Sequence, residues 1–557
     1  MKVTVLQGAN LINPITTIII GCDSTPKTDH IEDVKNLHPV FMEDYKVEGN
    51  DIHIQSKLPH LWKEAAVAIN NYSTGEWTYD LTKGFLYENL IKKQILSMST
   101  IPILRAAHEL GYETTQYFIE EGFTPEGVLK KYNRYYGVGA GQEVETVISI
   151  ASSQDSNLAK MIQEDKWLTN LMLDRLKLPI AKWQLVENRE TLKELHESYR
   201  KPYVVKPVGL TGGHGVTTNI NTLEQAYAAY DTAMVSIESK ERKDWQKKIM
   251  VQEQVAGEDY RILVINGRME IATKRIPAFV VGDGVSTIES LIENINKDPR
   301  RDTTIPTHIL KPIIIDDQLT TFLKEQNLDV KYVPKKDEKV YVRKVASMSQ
   351  GGITEDFTDQ VNPQIRSIVE SLASSIHAYA LGVDIICQDI SKPLTSENGS
   401  IIECNTMPES YLNAFPVIGR QYPNIGHMVI KGLLDGKPKT KKMVFIGSDE
   451  KKIDTFIKLN TSTNEKVGMY RQGSIFINGD QITSQIETWR AVEALKLNAS
   501  LSAIILCYND FDEVEKNGIG FDHADTIGVD SQLEGDSRFT SINGLISYGV
   551  VREVKTI

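Results

Sequence analysis

Cysteine is scarce in this chain, with four in 557 residues. Cys22, Cys387, Cys404 and Cys507 stand far apart without paired spacing, which excludes a disulfide framework and a zinc-ligand pattern and marks them as core thiols of a reduced protein. Long apolar runs are missing too. The stretch ITTIII at residues 15–20 is short, β-branched and followed by acidic residues, so it reads as a strand, not a signal peptide or a membrane span. Positive charge is not in excess: the formal net charge is -12, which disfavours nucleic acid or an anionic membrane as the main partner. No biased tract and no repeat of fixed period is present, so disordered, fibrous and solenoid classes fall away. A cytoplasmic protein is the expectation.

What is present is an ordinary globular composition, 41% apolar and 24% charged, on a chain long enough for three or four domains of about 150 residues each. Residues 1–150 mix early strands with helical periodicity in GFLYENLIKKQILSM and IPILRAAHELGY, an α+β pattern. Residues 151–435 open with a helix that stops at Pro179 and continue with the strand signals YVVKP, KKIMVQEQV, YRILVINGRMEIATKRI, GVDIICQDI and GSIIECN, separated by helices. GLLDGKPKTKK, polar and with four lysines, reads as a linker. Residues 436–557 then alternate strands and helices as a small α/β unit.

Three stretches carry chemistry. In YVVKPVGLTGGHGVTT, residues 203–218, a strand ends on Lys206 and runs into a glycine-rich loop. Backbone N–H groups there can approach an anion closely while the lysine adds a mobile charge, a pairing suited to a polyphosphate such as a nucleotide. No Gly-Lys-Ser/Thr closes the loop, and taken alone a plain glycine turn is the commoner meaning of such a stretch. In GVDIICQDISKPLTSENGSIIECNTMPE, strand alternation puts Glu403 and Asn405 on one face and Ile402 and Cys404 on the other. With Asp384 they form an oxygen-donor trio suited to magnesium; polar sheet edges are the bland alternative. In IMVQEQVAGEDYRILVINGRMEIATKRIPA, a strand ends at Gln252 and Glu253, a turn follows at Gly257, Asp259 and Arg261 open the next strand, and Lys274 and Arg275 lie on a third. An acid there can accept from ribose hydroxyls and an arginine can hold phosphate oxygens.

The sequential order of VVKP, the glycine-rich loop, EQVAGEDYRILV, GVDI and IIECN resembles the ATP-grasp fold of carboxylate-amine ligases. Within that fold, RIPAFVVGDGVSTIESLI, NKDPRR, VRKVASMSQGG and DISKPL look like the cyanophycin synthetases, with bifunctional glutathione synthetases more distant. The resemblance covers residues 150–435 most strongly. It implies that Lys166 (in EDKWLT) and Lys206 grip ATP phosphates, and that Gly212, Gly213 and Gly215 form the phosphate loop. It puts Gln252, Glu253 and Val255 at the adenine and Asp259 at the ribose. Asp384, Glu403 and Asn405 become ligands for magnesium, two ions being expected, with Asp389 an outside candidate. Arg275 joins Lys206 as a catalytic residue near the transferred phosphate. The substrate set is His214, Arg261, Arg343, Ser347 and Ser349, the last two in the SMSQGG loop with Gly351 and Gly352.

Departures from the family pattern are as informative. The loop reads GLTGGHGV where the family has DGNHGRGV, so Gly212 replaces a histidine and His214 an arginine. Gln252 stands for a hinge glutamate. FLYEN replaces a HVVEH helix and keeps only Glu88, so no metal chemistry is expected there. VFIGSDEKKIDTF stands where the family's GTNGKTTT phosphate loop lies, although EKVGMYRQGSIFINGDQI and KNGIGFDHADTIGVD resemble flanking segments. Residues 436–557 therefore read as a shortened, catalytically inactive muramyl-ligase-like remnant used for packing or oligomer contact.

The expectation is a multidomain α+β and α/β protein built on an ATP-grasp fold. By resemblance it is an ATP-dependent carboxylate-amine ligase with one active centre, forming a peptide or isopeptide bond through an acyl phosphate. Aspartate is the favoured amine, with glutamate, arginine, lysine and small peptides open. The alternatives are a non-catalytic ATP- or polymer-binding partner of a full-length synthetase and a glutathione-synthetase-like ligase. A homodimer or homotetramer and a companion synthetase are the expected partners.

Overall fold

The computed structural model describes residues 1–6, 8–11, 17–37, 42, 44–56, 62–91, 99–117, 135–163, 165–199, 202–210, 214–238, 247–304, 308 and 310–557. Near the N-terminus, β1 (Lys2–Val5), β2 (Ile18–Gly21), β3 (Asp44–Glu48) and β4 (Asp51–Gln55) form an antiparallel sheet in the order β1-β2-β4-β3. Ile18 and Ile20 of the β-branched run point into its core, both fully buried. β5 (Thr114–Gln116), β6 (Tyr135–Val138) and β7 (Glu145–Ile148) follow as neighbours in a second antiparallel sheet.

After the short β8 (Ala151–Ser152) come the sheets that resemble an ATP-grasp. β9 (Trp183–Val186), β10 (Tyr203–Pro207), β11 (Thr217–Ile220) and β12 (Ile249–Glu253) make an antiparallel sheet in the order β11-β10-β12-β9. The helices Arg189–Ser198 and Leu223–Glu238 cover it, with Leu192, Ala226, Ala229 and Ala233 meeting Val205 and Val251. The core sheet holds β13 (Glu258–Ile265) and β14 (Arg268–Ile276), and later β17 (Ile353–Asp356), β18 (Ala380–Cys387) and β19 (Gly399–Asn405), in the order β17-β14-β13-β18-β19. Between β14 and β17, β15 (Phe279–Val281) pairs with β16 (Lys339–Tyr341); with the helices Ile288–Asn296 and Asp317–Glu325 they enclose a separate small core. This inserted lobe was not separated from the ATP-grasp segment by sequence pattern.

The C-terminal sheet contains β20 (Lys441–Ile446), β21 (Val467–Arg471), β22 (Ser474–Ile477), β23 (Asp480–Thr483), β24 (Ala503–Tyr508), β25 (Ala524–Val529) and β26 (Val551–Thr556). Its order is β23-β22-β21-β24-β20-β25-β26, parallel from β21 to β26 with an antiparallel extension.

Two compact units result. One contains Met1–Ser149 together with Asn424–Ile557, and the other Ile150–Thr303 with His308–Pro423. The first and third expected segments thus share a unit, and the helix Ile425–Leu434 belongs there, packed on the helix Thr100–Glu109. The expected linker is not free either. Lys437 pairs with Glu145 at 2.5 Å, Lys439 with Glu143, Lys441 with Glu465 at 2.9 Å and Lys442 with Glu113 at 3.0 Å. Gly, Pro and lysine composition suggested a tether because the carboxylates that engage those lysines are remote in sequence. All four cysteines are buried free thiols. Among the described residues no helix is long and apolar enough to cross a membrane.

Candidate active site

Two lysines come from different elements, a helix and a strand. Lys166 opens the helix Lys166–Arg175, whose N-cap Asp165 accepts from the Trp167 and Leu168 N–H groups. Its ammonium donates to the Leu210 carbonyl at the mouth of the glycine-rich loop and stands 3.8 Å from Glu403 Oε1. Lys206 lies on β10 opposite Met250 of β12 and donates to Gln252 Oε1 at 2.5 Å. Only 6% of it is exposed. Burial lowers its pKa to about 8, helped by the Lys166 charge and opposed by Glu403. A glutamate at position 252 would have neutralised that ammonium; glutamine only hydrogen-bonds it.

The core sheet brings the acids. β18 lies between β13 and β19, with Asp384 opposite Arg261 on one side and Glu403 on the other, and Gly382 opposite Asn405. A bulge between Asp384 and Ile385 shifts the register of β19. As a result Ile401 and Cys404, not Ile402 and Cys404, enter the core, which corrects the simple alternation expected from sequence. Glu403 is 31% exposed on the Lys166 side. The Asn405 Nδ2 is buried without a hydrogen-bond partner.

Asp384 is held by arginines. Arg261 donates to both of its oxygens, through Nε to Oδ1 and through Nη2 to Oδ2 at 3.1 Å, and Arg275 Nη2 lies 3.1 Å from Oδ2. Gly382 makes room, since a Cβ there would lie 2.9 Å from Arg261 Nη1. Burial alone would raise the Asp384 pKa, but the two guanidinium groups outweigh it and hold the carboxylate below its ordinary value. Arg275 also donates to Asp259 Oδ1 through Nε at 3.0 Å and Nη2 at 2.6 Å. Burial raises the Asp259 pKa against the pull of Arg275. Lys166, Lys206, Arg261 and Arg275 thus outnumber Asp259, Asp384 and Glu403 by one charge, a balance that favours an anionic ligand.

The remaining expected residues divide. Gly215 takes φ +71 and packs against Pro207, where a Cβ would meet Pro207 Cγ at 2.8 Å; His214 beside it is exposed, and Gly212 and Gly213 lie outside the described residues. Gln252 faces Lys206, whereas Glu253 and Val255 line a cavity of about 580 Å³ with Lys182, Gln388 and Ser400. Ser347 and Ser349 share a hydroxyl contact of 2.8 Å in a loop that closes on left-handed Gly351. Arg343 does not reach this group. It is 4% exposed and forms a two-pronged pair with Asp316, at 2.7 and 2.9 Å, plus a bond to the Ile314 carbonyl. That pair lies within the inserted lobe, where Arg343 is engaged in the absence of substrate. Asp389 is turned away as well, accepting from the N–H and hydroxyl of Ser391. Lys274 pairs with Glu258 at 2.9 Å. Glu88 is exposed in a π-helical turn, Tyr87–Ile91. Sequence reading missed Asn170, whose Oδ1 lies 3.4 Å from Gln252 Nε2 and whose Nδ2 donates to the Lys166 carbonyl at 2.6 Å; its signal was the four-residue spacing from Lys166 on one helix face.

Among the described residues no group of three or more His, Cys, Asp or Glu side chains could hold a metal ion. A magnesium ion would instead use Glu403 and the Asn405 amide oxygen and complete its shell with water and phosphate, a donor set suited to this hard cation. Asp384 could join only by exchanging an arginine.

In the C-terminal sheet, Gly447 follows β20 at φ +148 and Asp449 caps the next helix, accepting from the Lys451 and Lys452 N–H groups. Lys452 in turn binds Asp530 Oδ1 and Ser531 Oγ, each at 2.6 Å. The N–H groups and lysine that a phosphate would require are already engaged by carboxylates of the chain.

A helix and a sheet that supply Lys166 and Lys206, beside a sheet that supplies carboxylates, give an ATP-grasp arrangement, and residues 164–276 match the family "Phosphoribosylglycinamide synthetase, ATP-grasp (A) domain". The chain is related to cyanophycin synthetases: it is 32% identical to that of Synechocystis sp. over 346 residues, 61% of this chain and 39% of the relative. The bifunctional glutathione biosynthesis protein GshAB of Clostridium perfringens is 28% identical over 395 residues, 70% of this chain and 46% of that protein. The chain therefore spans less than half the length of these curated relatives. A bifunctional glutathione synthetase from Pasteurella multocida aligns structurally with a TM-score of 0.46 and 23% identity, over 64% of this chain and 46% of that one.

Proposed function

We propose that the protein is an ATP-dependent carboxylate-amine ligase acting on amino acids or short peptides at one active centre. The observation that carries this reading is Lys166 standing 3.8 Å from Glu403, on the strand next to the arginine-held Asp384. The relatives whose names describe synthesis of cyanophycin and glutathione support it.

In this role the γ-phosphoryl group moves to a substrate carboxylate oxygen as its bond to the β-phosphate oxygen breaks, releasing ADP. The amine then attacks the acyl carbon, loses a proton and expels phosphate, leaving an amide. Lys166 and Lys206 neutralise phosphate oxygens, while Arg275, held by Asp384, stabilises charge that develops during transfer. Magnesium held by Glu403 and Asn405 would screen the phosphates. Asp259, released from Arg275, is the acid for the ribose, and the backbone near Val255 meets the adenine. Residues 436–557 contribute no second centre in this reading.

The test is phosphate release from ATP and magnesium, screened over pairs of amino acids and short peptides, with Glu403→Gln as control. A pair that raises the rate and yields a peptide of matching mass, while the variant stays silent, supports the ligase. ATP binding without turnover across the panel would instead favour a non-catalytic partner.

A further inference from the structure

The inserted lobe contains a second cavity of about 680 Å³, walled by Pro277, Phe279, Leu291, Ile295, Leu310 and Ile353. Its volume falls within the usual range of small-molecule pockets, and its mainly apolar walls also carry Asn294, Lys297, Asp298, Arg300 and Arg301. It is lined by residues that directly follow β14, the strand that carries Arg275. Pro277 is two residues beyond Arg275, about 7 Å in an extended strand, and Ile353 is the register partner of Ile276. Gly351 of the SMSQGG loop also lines it.

Of the charged residues that line it, Lys297, Asp298, Arg300 and Arg301, only Arg301 is buried. Arg301, 8% exposed, ends the short turn Pro299–Arg301. Its Nη1 donates to the carbonyls of Lys311 and, at 3.4 Å, of Gly351, while its buried Nε has no partner. Its neighbour Arg300 is spent on Asp298, 2.6 Å away. Among the described residues no carboxylate lies within ion-pair distance of Arg301, so a buried guanidinium is left with only carbonyl acceptors. Such a charge is costly to keep unless a ligand supplies its counter-ion.

We propose that this cavity binds a substrate bearing both a carboxylate and an apolar body, an amino acid or peptide end with a branched aliphatic or aromatic side chain. Arg301 meets the carboxylate, and Phe279, Leu291 and Ile295 enclose the side chain. The proposal rests on the ligase reading for its meaning as a substrate site, and it departs from aspartate, whose second carboxylate would lie against Phe279, Leu291 and Ile295.

The experiment is calorimetric titration of the whole protein with N-acetyl-L-leucine, N-acetyl-L-leucinamide and N-acetyl-L-aspartate, with ATP titrated separately. N-acetyl-L-leucine is expected to bind at least about tenfold more tightly than either of the others. Leu291→Asp and Arg301→Lys should each weaken it about tenfold and leave ATP affinity unchanged. Equal binding of the leucinamide, tighter binding of the aspartate derivative, or no binding of any probe overturns the proposal. The wild-type comparison decides even if a variant misfolds, which thermal unfolding would reveal. Failure of ATP to bind would remove the ligase reading and leave the cavity result standing.

Discussion

Lys206 is the residue on which nucleotide binding and stability pull in opposite directions. Burial holds its pKa near 8, below the ordinary 10.5, so below pH 8 the fold carries a buried charge that the unfolded chain would carry in water. The penalty is on the order of a few kcal/mol. It is fully present below the folded pKa and relieved as pH rises from about 8 towards 10.5, where the unfolded chain binds the extra proton. Stability should therefore rise with pH through that window as far as this group decides it, a slope that Lys206→Met would remove. The same variant should raise the melting temperature at pH 7 and cost at least about tenfold in ATP affinity; a fall in both would refute the account. Because a polyphosphate restores the charged form, ATP binding at pH 8.5 should take up a proton, detectable by calorimetry in buffers of different ionisation enthalpy. Gln252→Glu should abolish that uptake by holding the lysine protonated beforehand. The place of Lys206 at a strand end before the glycines was legible in VVKP, but its lowered pKa was not, since it depends on burial and on Lys166 brought in from another element.

Strand patterns disclosed the core sheet well, because β13, β14, β18 and β19 are largely buried apolar runs interrupted by a few polar residues. They did not disclose the bulge in β19 or the use of Asp384. A bulge adds one residue without any composition signal, and an acid on an inner strand reads the same whether it faces a cation of the protein or a metal. The β13-β18 pair depends on Gly382, over which the Arg261 side chain lies. Gly382→Ala would put a Cβ 2.8 Å from Pro408 Cβ and 2.9 Å from Arg261 Nη1. Part of that contact is the far end of a flexible side chain, so the expected loss of stability is about 1–2 kcal/mol. The larger consequence is functional: displacement of Arg261 loosens Asp384 and Arg275 together, and turnover should fall more than tenfold with ATP affinity little changed. Equal losses in both would mean that the arginine pair supports the nucleotide site as a whole.

At the scale of the molecule, one compact unit is assembled from both ends of the sequence, a feature no local pattern could reveal. Its buried knot is Glu113, 2% exposed, which accepts from Lys442 at 3.0 Å, from Lys496 at 2.9 Å and from the Asp522 N–H at 2.9 Å. Close backbone approaches reinforce it: the Ala9 N–H donates to the Phe521 carbonyl at 2.8 Å and the Gln142 N–H to that of Leu501 at 2.6 Å. Burial opposes ionisation of Glu113, but the two ammonium groups prevail and hold its pKa far below the ordinary 4.5. Its stabilisation is therefore present above about pH 4.5 and lost as the medium is acidified below that value. Glu113→Gln leaves two lysines buried without a counter-charge and should cost about 3–5 kcal/mol, read as a lower urea midpoint at pH 7. The difference from wild type should narrow as the pH falls below 4.5. By the same contacts, residues 436–557 produced alone should not give the dispersed amide spectrum of a folded domain, because Glu113, Ala9 and Gln142 would be missing from them. A well-folded isolated fragment, or a Glu113→Gln protein as stable as the parent, would show instead that the N-terminal segment is an accessory layer on an independent C-terminal domain.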